Sequence, residues 1–320
     1  MINSFEGLLE WLIQEQNGVP FKYDGELLLS WYQKTRAVSC KSVPLELESL
    51  YCGFFAKSIG QAFASSYQIA IQRLTGVDTC GGVASFCVTE NKSTHPTSMQ
   101  SCLSLDNEGR YRLSGKKDFV TLACEAKKLF VAVRSEEAKS GEGKAGRNII
   151  KLVEVDVAAP GVNVQVLPTL PFVSDVSHGV VSFDSIIVDP ASILSGDGYA
   201  DYVKPFRWFE DINVFMSVSA YLFKLSLAFG WPVEAKVEMV SLLTTLSGLH
   251  KMKADDPIAH IVMFDQTVVL NKWLQRYNDT WSQVPEEIVM CCKRDLALLK
   301  IAGKAREARY TKAMTALALV

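Results

Sequence analysis

The sequence predicts an α+β fold: an N-terminal helical unit (1–75), a middle antiparallel β-barrel or sandwich (76–203) and a C-terminal four-helix bundle (204–320). Three observations predict it. Apolar residues recur at helical spacing as far as Leu74 and again after Pro205, whereas the residues between form short β-branched and aromatic runs separated by turn signals. Prolines stand where helices break or begin: Pro20 and Pro44 in the first unit, Pro232, Pro257 and Pro285 in the last. Finally, 320 residues with 48% hydrophobic and 21% charged content suffice for two or three units around a large buried core.

In the first unit Phe5, Leu8, Leu9 and Leu12 share one helical face, and Phe54, Phe55, Ile59, Phe63, Tyr67, Ile71 and Leu74 another. With breaks near the two prolines, this spacing predicts three helices. After Gly76 the strand candidates are 83–88, 130–134, 149–157, 162–166 and 179–188, bounded by turn signals such as Asn107-Glu108-Gly109 and Ala159-Pro160-Gly161. The charged, glycine-rich stretch 136–146 predicts a mobile hairpin tip. Helical periodicity returns over 206–229, 233–252, 258–278 and 286–317, and four segments of that length predict an antiparallel bundle.

Charge and cysteine usage exclude several function classes. A formal charge of −2 and a pI near 6.1 give no bulk positive potential for nucleic acid. The eight cysteines include no C-x-x-C pair and no histidine at ligand spacing, so neither a disulfide framework nor a metal site is expected, and a reducing compartment is. Met1-Ile2-Asn3-Ser4-Phe5-Glu6 lacks the basic and apolar regions of a signal peptide. The longest apolar stretch, 212–223, is interrupted by polar residues and too short to span a bilayer. The expectation is a cytoplasmic protein with neither a membrane nor a nucleic acid as partner.

Two segments carry the strongest signal: Phe86-Cys87-Val88-Thr89-Glu90, and thirty residues on, Gly115-Lys116-Lys117-Asp118-Phe119-Val120-Thr121. As β-segments they can bring backbone amides and threonine hydroxyls to a planar, hydrogen-bonding ligand. Cys87-Val88-Thr89-Glu90 resembles the C-[LV]-T-E-P segment of acyl-CoA dehydrogenases, with Asn91 in place of the proline. Phe119-Val120-Thr121 resembles that family's W-I-T, and Gly115 with Lys117 its preceding G-x-K. Phe183-Asp184-Ser185-Ile186-Ile187-Val188 with Leu194-Ser195-Gly196 resembles F-x-x-V-x-V-P…L-G, and Phe229-Gly230 resembles the end of R-x-x-F-G. The resemblance implies FAD as cofactor, with Phe86, Val88, Thr89, Phe119 and Thr121 around the flavin ring. It also implies an acyl-CoA or other acyl thioester as substrate, a place in fatty acid metabolism, and a homodimer or homotetramer. Three departures remove the pyrophosphate-binding motifs and the thioester-arm contact. Ser226 replaces the arginine of R-x-x-F-G, no Q-x-x-G-G-x-G-Y loop lies between His250 and Val284, and Ser93-Thr94-His95-Pro96 replaces G-S-D.

The family reaction needs a carboxylate base to take the proton α to the thioester while the flavin accepts the hydride. Arg294-Asp295-Leu296-Ala297-Leu298-Leu299-Lys300-Ile301-Ala302-Gly303 resembles the segment that usually holds it, and Gly303 stands at its position. Isovaleryl-CoA and long-chain acyl-CoA dehydrogenases carry the base instead in an E-R-[LI] segment, which Phe209-Glu210-Asp211-Ile212 resembles; this makes Glu210 the candidate base. The competing reading makes Glu210 and Asp211 a solvated acidic pair near a helix N-terminus. His95 and His178 lie beside the candidate strands. The cations Lys293, Arg294, Lys300, Lys304, Arg306, Arg309 and Lys312 form either a solvated face or a surface for acidic partners. Three functions stay open: an FAD-dependent dehydrogenase, a catalytically degenerate relative that binds a thioester or protein without redox activity, and an unrelated β-barrel flanked by helices.

Overall fold

In the computed structural model, which describes residues 2–16, 21, 25–136 and 148–319, the chain divides into two units. Met1–Ala70, Leu170–Asp175 and Trp208–Val320 form the first, and Ile71–Thr169 with Val176–Arg207 the second.

The first unit is helical. It holds α1 (Phe5–Gln16), α2 (Leu28–Ser42), α3 (Glu48–Phe55) and most of α4 (Ile59–Thr75), then α5 (Lys204–Ala228) from Trp208 onward. The remaining helices are α6 (Val233–Leu249), α7 (Pro257–Arg276), α8 (Glu286–Asp295) and α9 (Gly303–Ala316). Between Ile212 and Leu225, α5 is buried on every face, so its polar residues must bond within protein. Asn213 accepts the Ser49 hydroxyl at 2.5 Å and donates to the Phe209 carbonyl, while Ser217 donates to Ala62 O at 2.9 Å. Helix α3 comes so close that a Cβ on Gly53 would lie 2.2 Å from the Ser217 carbonyl oxygen. A second nucleus gathers Trp231, Trp273 and Trp281, with ring centroids 5.3 and 5.2 Å apart around Trp231.

Two helical expectations need correction. Among the described residues four helices, rather than three, precede the sheet, because the segment after Pro44 breaks again at Ala56, whose extended backbone ends α3 before α4 begins at Ile59. The segment 286–317 is not one helix either: a 3₁₀ turn at Leu296–Lys300 and Ala302 at φ +58 separate α8 from α9. The buried Asp295 carboxylate at this break accepts the Val173 N–H at 2.6 Å and the Arg294 guanidinium, pinning 170–175 against the bundle.

The second unit is built on a seven-stranded sheet: β1 (Val83–Cys87), β2 (Cys102–Leu105), β3 (Tyr111–Thr121), β4 (Ala126–Ser135), β5 (Ile150–Asp156), β6 (Val162–Val166) and β7 (His178–Val188). Its path runs β1-β4-β2-β3-β7-β6, with β5 on β4. The expected antiparallel pairing holds for β2–β3, β3–β7, β6–β7 and β4–β5, but β1 and β2 both run parallel to β4. The sheet is therefore mixed. Leu113, Leu129, Val131, Val133, Val153, Val181 and Phe183 form its core. The sequence reading lacks β2, whose four residues are too few to show an alternation. Of the expected hairpin tip, 137–146 lie outside the described residues.

Among the described residues no helix is long and apolar enough to cross a membrane. Cys52, Cys87 and Cys292 are buried free thiols and Cys124 an exposed one. Burial pushes the Cys52 and Cys87 thiols up to about 12, and that of Cys292 upward as well.

The glycines give opposite expectations that one urea titration series can check. Gly53→Ala forces α3 away from α5 and is expected to destabilise by about 3 kcal/mol. Gly248→Ala, inside α6 where a Cβ meets nothing within 4 Å, is expected to stabilise by roughly 0.5–1 kcal/mol.

Candidate functional site

The two motif segments meet in the β unit. All five residues of β1 are buried, and the chain leaves it through Val88 and Thr89 to Glu90, where Glu90 and Ser93 close a tight turn with Asn91 and Lys92 at φ +48 and +64. On β3 the pairing with β7 shifts register between Lys117 and Val120, and Phe119 adopts φ +57. That left-handed residue is a bulge that turns successive side chains to unequal sides. Lys117 points in and is fully buried, whereas Phe119 points out and is 51% exposed. The Asp118 N–H donates to Thr89 O at 2.8 Å, Asn91 N–H to Asp118 Oδ2 at 2.9 Å, and the Ser85 hydroxyl to Thr121 O at 2.7 Å. Backbone and side-chain bonds thus fasten the exit of β1 to the end of β3.

Beneath them is a buried ion pair. Lys117 Nζ lies 2.5 Å from Glu90 Oε1 and 3.5 Å from the Val88 carbonyl oxygen. Glu90 also accepts from the backbone N–H of Gln100 at 2.6 Å and of Ser101 at 3.2 Å. Burial raises the Glu90 carboxyl, but the Lys117 ammonium and these amide donors outweigh it and hold its pKa below the ordinary value. Burial pulls the Lys117 ammonium down, and Glu90 recovers only part of that shift. Gly115, at φ +136, lets Ser101 approach: a Cβ there would lie 2.4 Å from Ser101 Oγ.

Of the five candidate ring contacts, Thr89, Phe119 and Thr121 are at least partly exposed, and they sit on the segments this pair joins. Among the described residues neither threonine hydroxyl has a protein hydrogen-bond partner. Phe86 and Val88 are buried, and the Phe86 ring stacks on Phe206 with centroids 4.3 Å apart. His178, on β7 opposite Thr121, is buried with its ring 4.7 Å from that of Phe119. Burial lowers its pKa below the ordinary histidine value. His95 is exposed and holds a 3₁₀ turn by accepting the Thr97 N–H. The sequence signals for the ion pair were the acid closing the first motif and the lysine of G-x-K; their pairing needed the fold.

Glu210 and Asp211 belong to the helical unit and have different surroundings. Glu210 is half-buried on α5. Asp211 is buried, accepts Arg306 at 2.7 Å and binds Arg309 through its other oxygen. The reading of a solvated acidic pair therefore fails for Asp211, which anchors α9 to α5. Ser226 is fully buried and donates its hydroxyl to the Phe223 carbonyl of its own helix, so it presents no cation. Gly303 opens α9, and a Cβ there would meet nothing within 4 Å.

No protein-family model matches the chain, and no curated protein sequence matches it. Solved structures do. Butyryl-CoA dehydrogenase from Megasphaera elsdenii aligns with a TM-score of 0.62 at 15% identity, over 98% of this chain and 91% of that one. The prolyl acyl carrier protein oxidase AnaB gives 0.63 at 14% identity over 96% of each chain, and the FAD complex of PigA 0.62 at 14% over 89% and 88%. The chain has the acyl-CoA dehydrogenase fold, as the motif resemblance implied; identities this low show the fold alone.

Lys117→Met leaves a buried carboxylate without its cation, and a loss of about 3–5 kcal/mol in unfolding free energy is expected, largely recovered in Lys117→Met/Glu90→Gln. In the parent the depressed Glu90 pKa gives stability that is present above the unfolded carboxyl's pKa and lost as pH falls through the lower folded value. In Lys117→Met burial acts on Glu90 without the ammonium, so acid unfolding monitored by circular dichroism is expected to begin at higher pH than in the parent.

Proposed function

We propose that this chain is an acyl-CoA dehydrogenase-like flavoprotein that holds the flavin ring of FAD against Thr89, Phe119 and Thr121 and acts on an acyl thioester. One observation carries the reading: the Lys117–Glu90 pair joins the exit of β1 to the bulged end of β3, which together carry two threonine hydroxyls without protein partners among the described residues and a half-exposed aromatic ring. A planar heterocycle with hydrogen-bonding edges fits that chemistry. Phe119 supplies an aromatic surface, and the threonines supply donors or acceptors. Phe86 lies buried on β1 and Val88 buried just past its end, and Phe206 occupies the Phe86 face.

Bound there, FAD supplies the hydride acceptor. The work left to the protein is to orient the thioester, exclude water and hold the α proton, and Glu210 takes that last role through its carboxylate. Assembly as a homodimer or homotetramer belongs to the same proposal.

The second reading, a relative that binds a thioester or a protein partner without redox chemistry, is favoured by Ser226 and Gly303. The first offers no cation for a pyrophosphate, and the second no carboxylate at the position where most members carry the base.

A visible spectrum after FAD addition and gel filtration separates the two. Stoichiometric flavin bands are expected, with Thr89→Val/Thr121→Val weakening FAD binding roughly tenfold, about 1.4 kcal/mol. Bleaching by a panel of acyl-CoAs is expected to slow at least ~10²-fold in Glu210→Gln. Colourless protein would leave the non-redox reading standing, and a Glu210→Gln variant that bleaches at the parent rate would remove Glu210 from the mechanism.

A further inference from the structure

The helical unit contains a cleft of 420 Å³ between α7, the end of α8, the turn that follows it and the start of α9. That size is in the range of small-ligand sites. Its apolar wall is made by Phe264, Leu274, Leu296 and Leu299. Among the described residues that line it the charged ones are all cations, Lys293, Lys300 and Arg306, with no carboxylate.

Among the described residues these charges are not fully offset by anions. Arg306 is buried and shares Asp211 with Arg309, so two guanidiniums meet one carboxylate and one positive charge is left over in the cleft wall. An uncompensated charge taken out of water is costly, which favours recruiting an anion. Lys293 touches neutral groups, the Asn278 side-chain oxygen at 3.3 Å and the Trp281 ring at 6.0 Å. Lys300 has no ion-pair partner among the described residues. The first turn of α9 adds to the imbalance, since it has no acidic residue and no side-chain cap, and Lys304 and Arg306 stand at an end where the helix dipole is already positive.

We infer that this cleft binds an organic phosphate monoester whose apolar group lies against Phe264, Leu274, Leu296 and Leu299. Charge decides between phosphate and carboxylate. Two lysines and the surplus of the arginine pair suit a dianion better than a monoanion, and lysine binds phosphate as a point charge without demanding a fixed fork. The site is distinct from the flavin reading, which gives no role to any residue lining this cleft.

Phenyl phosphate, benzoate and inorganic phosphate are the probes, titrated calorimetrically into the full chain. Phenyl phosphate is expected to bind saturably, at least fivefold tighter than either other probe, and more weakly as salt is added. Lys293→Gln/Lys300→Gln is expected to lose at least tenfold in affinity, whereas Lys41→Gln/Lys236→Gln, with the same change of charge, binds as the parent does. Both lysines of the first variant are exposed, so circular dichroism and thermal melting are expected to match the parent. Absence of saturable binding, unchanged affinity in Lys293→Gln/Lys300→Gln, or benzoate binding as tightly as phenyl phosphate would each overturn the assignment.

Discussion

The buried ion pair of Lys117 and Glu90 is the constraint on which the arrangement of the β unit depends. A lysine ammonium with no exposed surface requires a carboxylate, and that carboxylate in turn requires the amides of Gln100 and Ser101 to satisfy its remaining lone pairs. One cation therefore fixes three stretches of chain: the exit of β1, the loop that returns to β2 and the middle of β3. The bulge at Phe119 follows from the same demand. With Lys117 directed inward and Val120 also buried, the two residues between them must absorb the mismatch, and the left-handed Phe119 turns its ring outward. The exposed ring and the strained backbone are thus consequences of a decision made two residues earlier.

The helical unit follows a different logic, in which acidic residues serve as fasteners. Asp211 ties α9 to α5, Asp295 ties the 170–175 segment to α8, and Glu48 on α3 pairs with the buried Arg36 on α2. Each carboxylate joins parts distant along the chain by charge-assisted hydrogen bonds, which hold direction as well as distance. The same allocation leaves the start of α9 rich in cations. Where the resemblance would place a base, the chain has Gly303 on the wall of a positively charged cleft.

Much of the architecture was legible in the sequence because it is written in periodicity. The long apolar repeats of α5, α6 and α7, and the β-branched runs of β4, β5 and β7, appear near their expected positions. What escaped was set by contacts between distant residues. The parallel course of β1 and β2 along β4 depends on crossovers that no local pattern records, and the break after α8 depends on Asp295 being taken by Val173. For the candidate site, the motif resemblance found the two segments and their threonines. It did not foresee that Phe86 would be occupied by Phe206, that His178 would lie beneath Phe119, or that Asp211 would be spent on Arg306 and Arg309. Such partnerships belong to side-chain geometry and are invisible to spacing.

The buried thiols make the chain a recorder of its own unfolding. Cys87 sits in the core of the sheet, and Cys52 and Cys292 sit in the helical unit; burial keeps all three protonated and shielded from electrophiles, while Cys124 stands open to solvent. A brief pulse of alkylating reagent therefore marks Cys124 in every molecule, and marks each of the others only in molecules whose surrounding unit has opened. Mass spectrometry of the labelled peptides then gives separate opening free energies for sheet and bundle, which reveals whether the two units open together or as independent foldons.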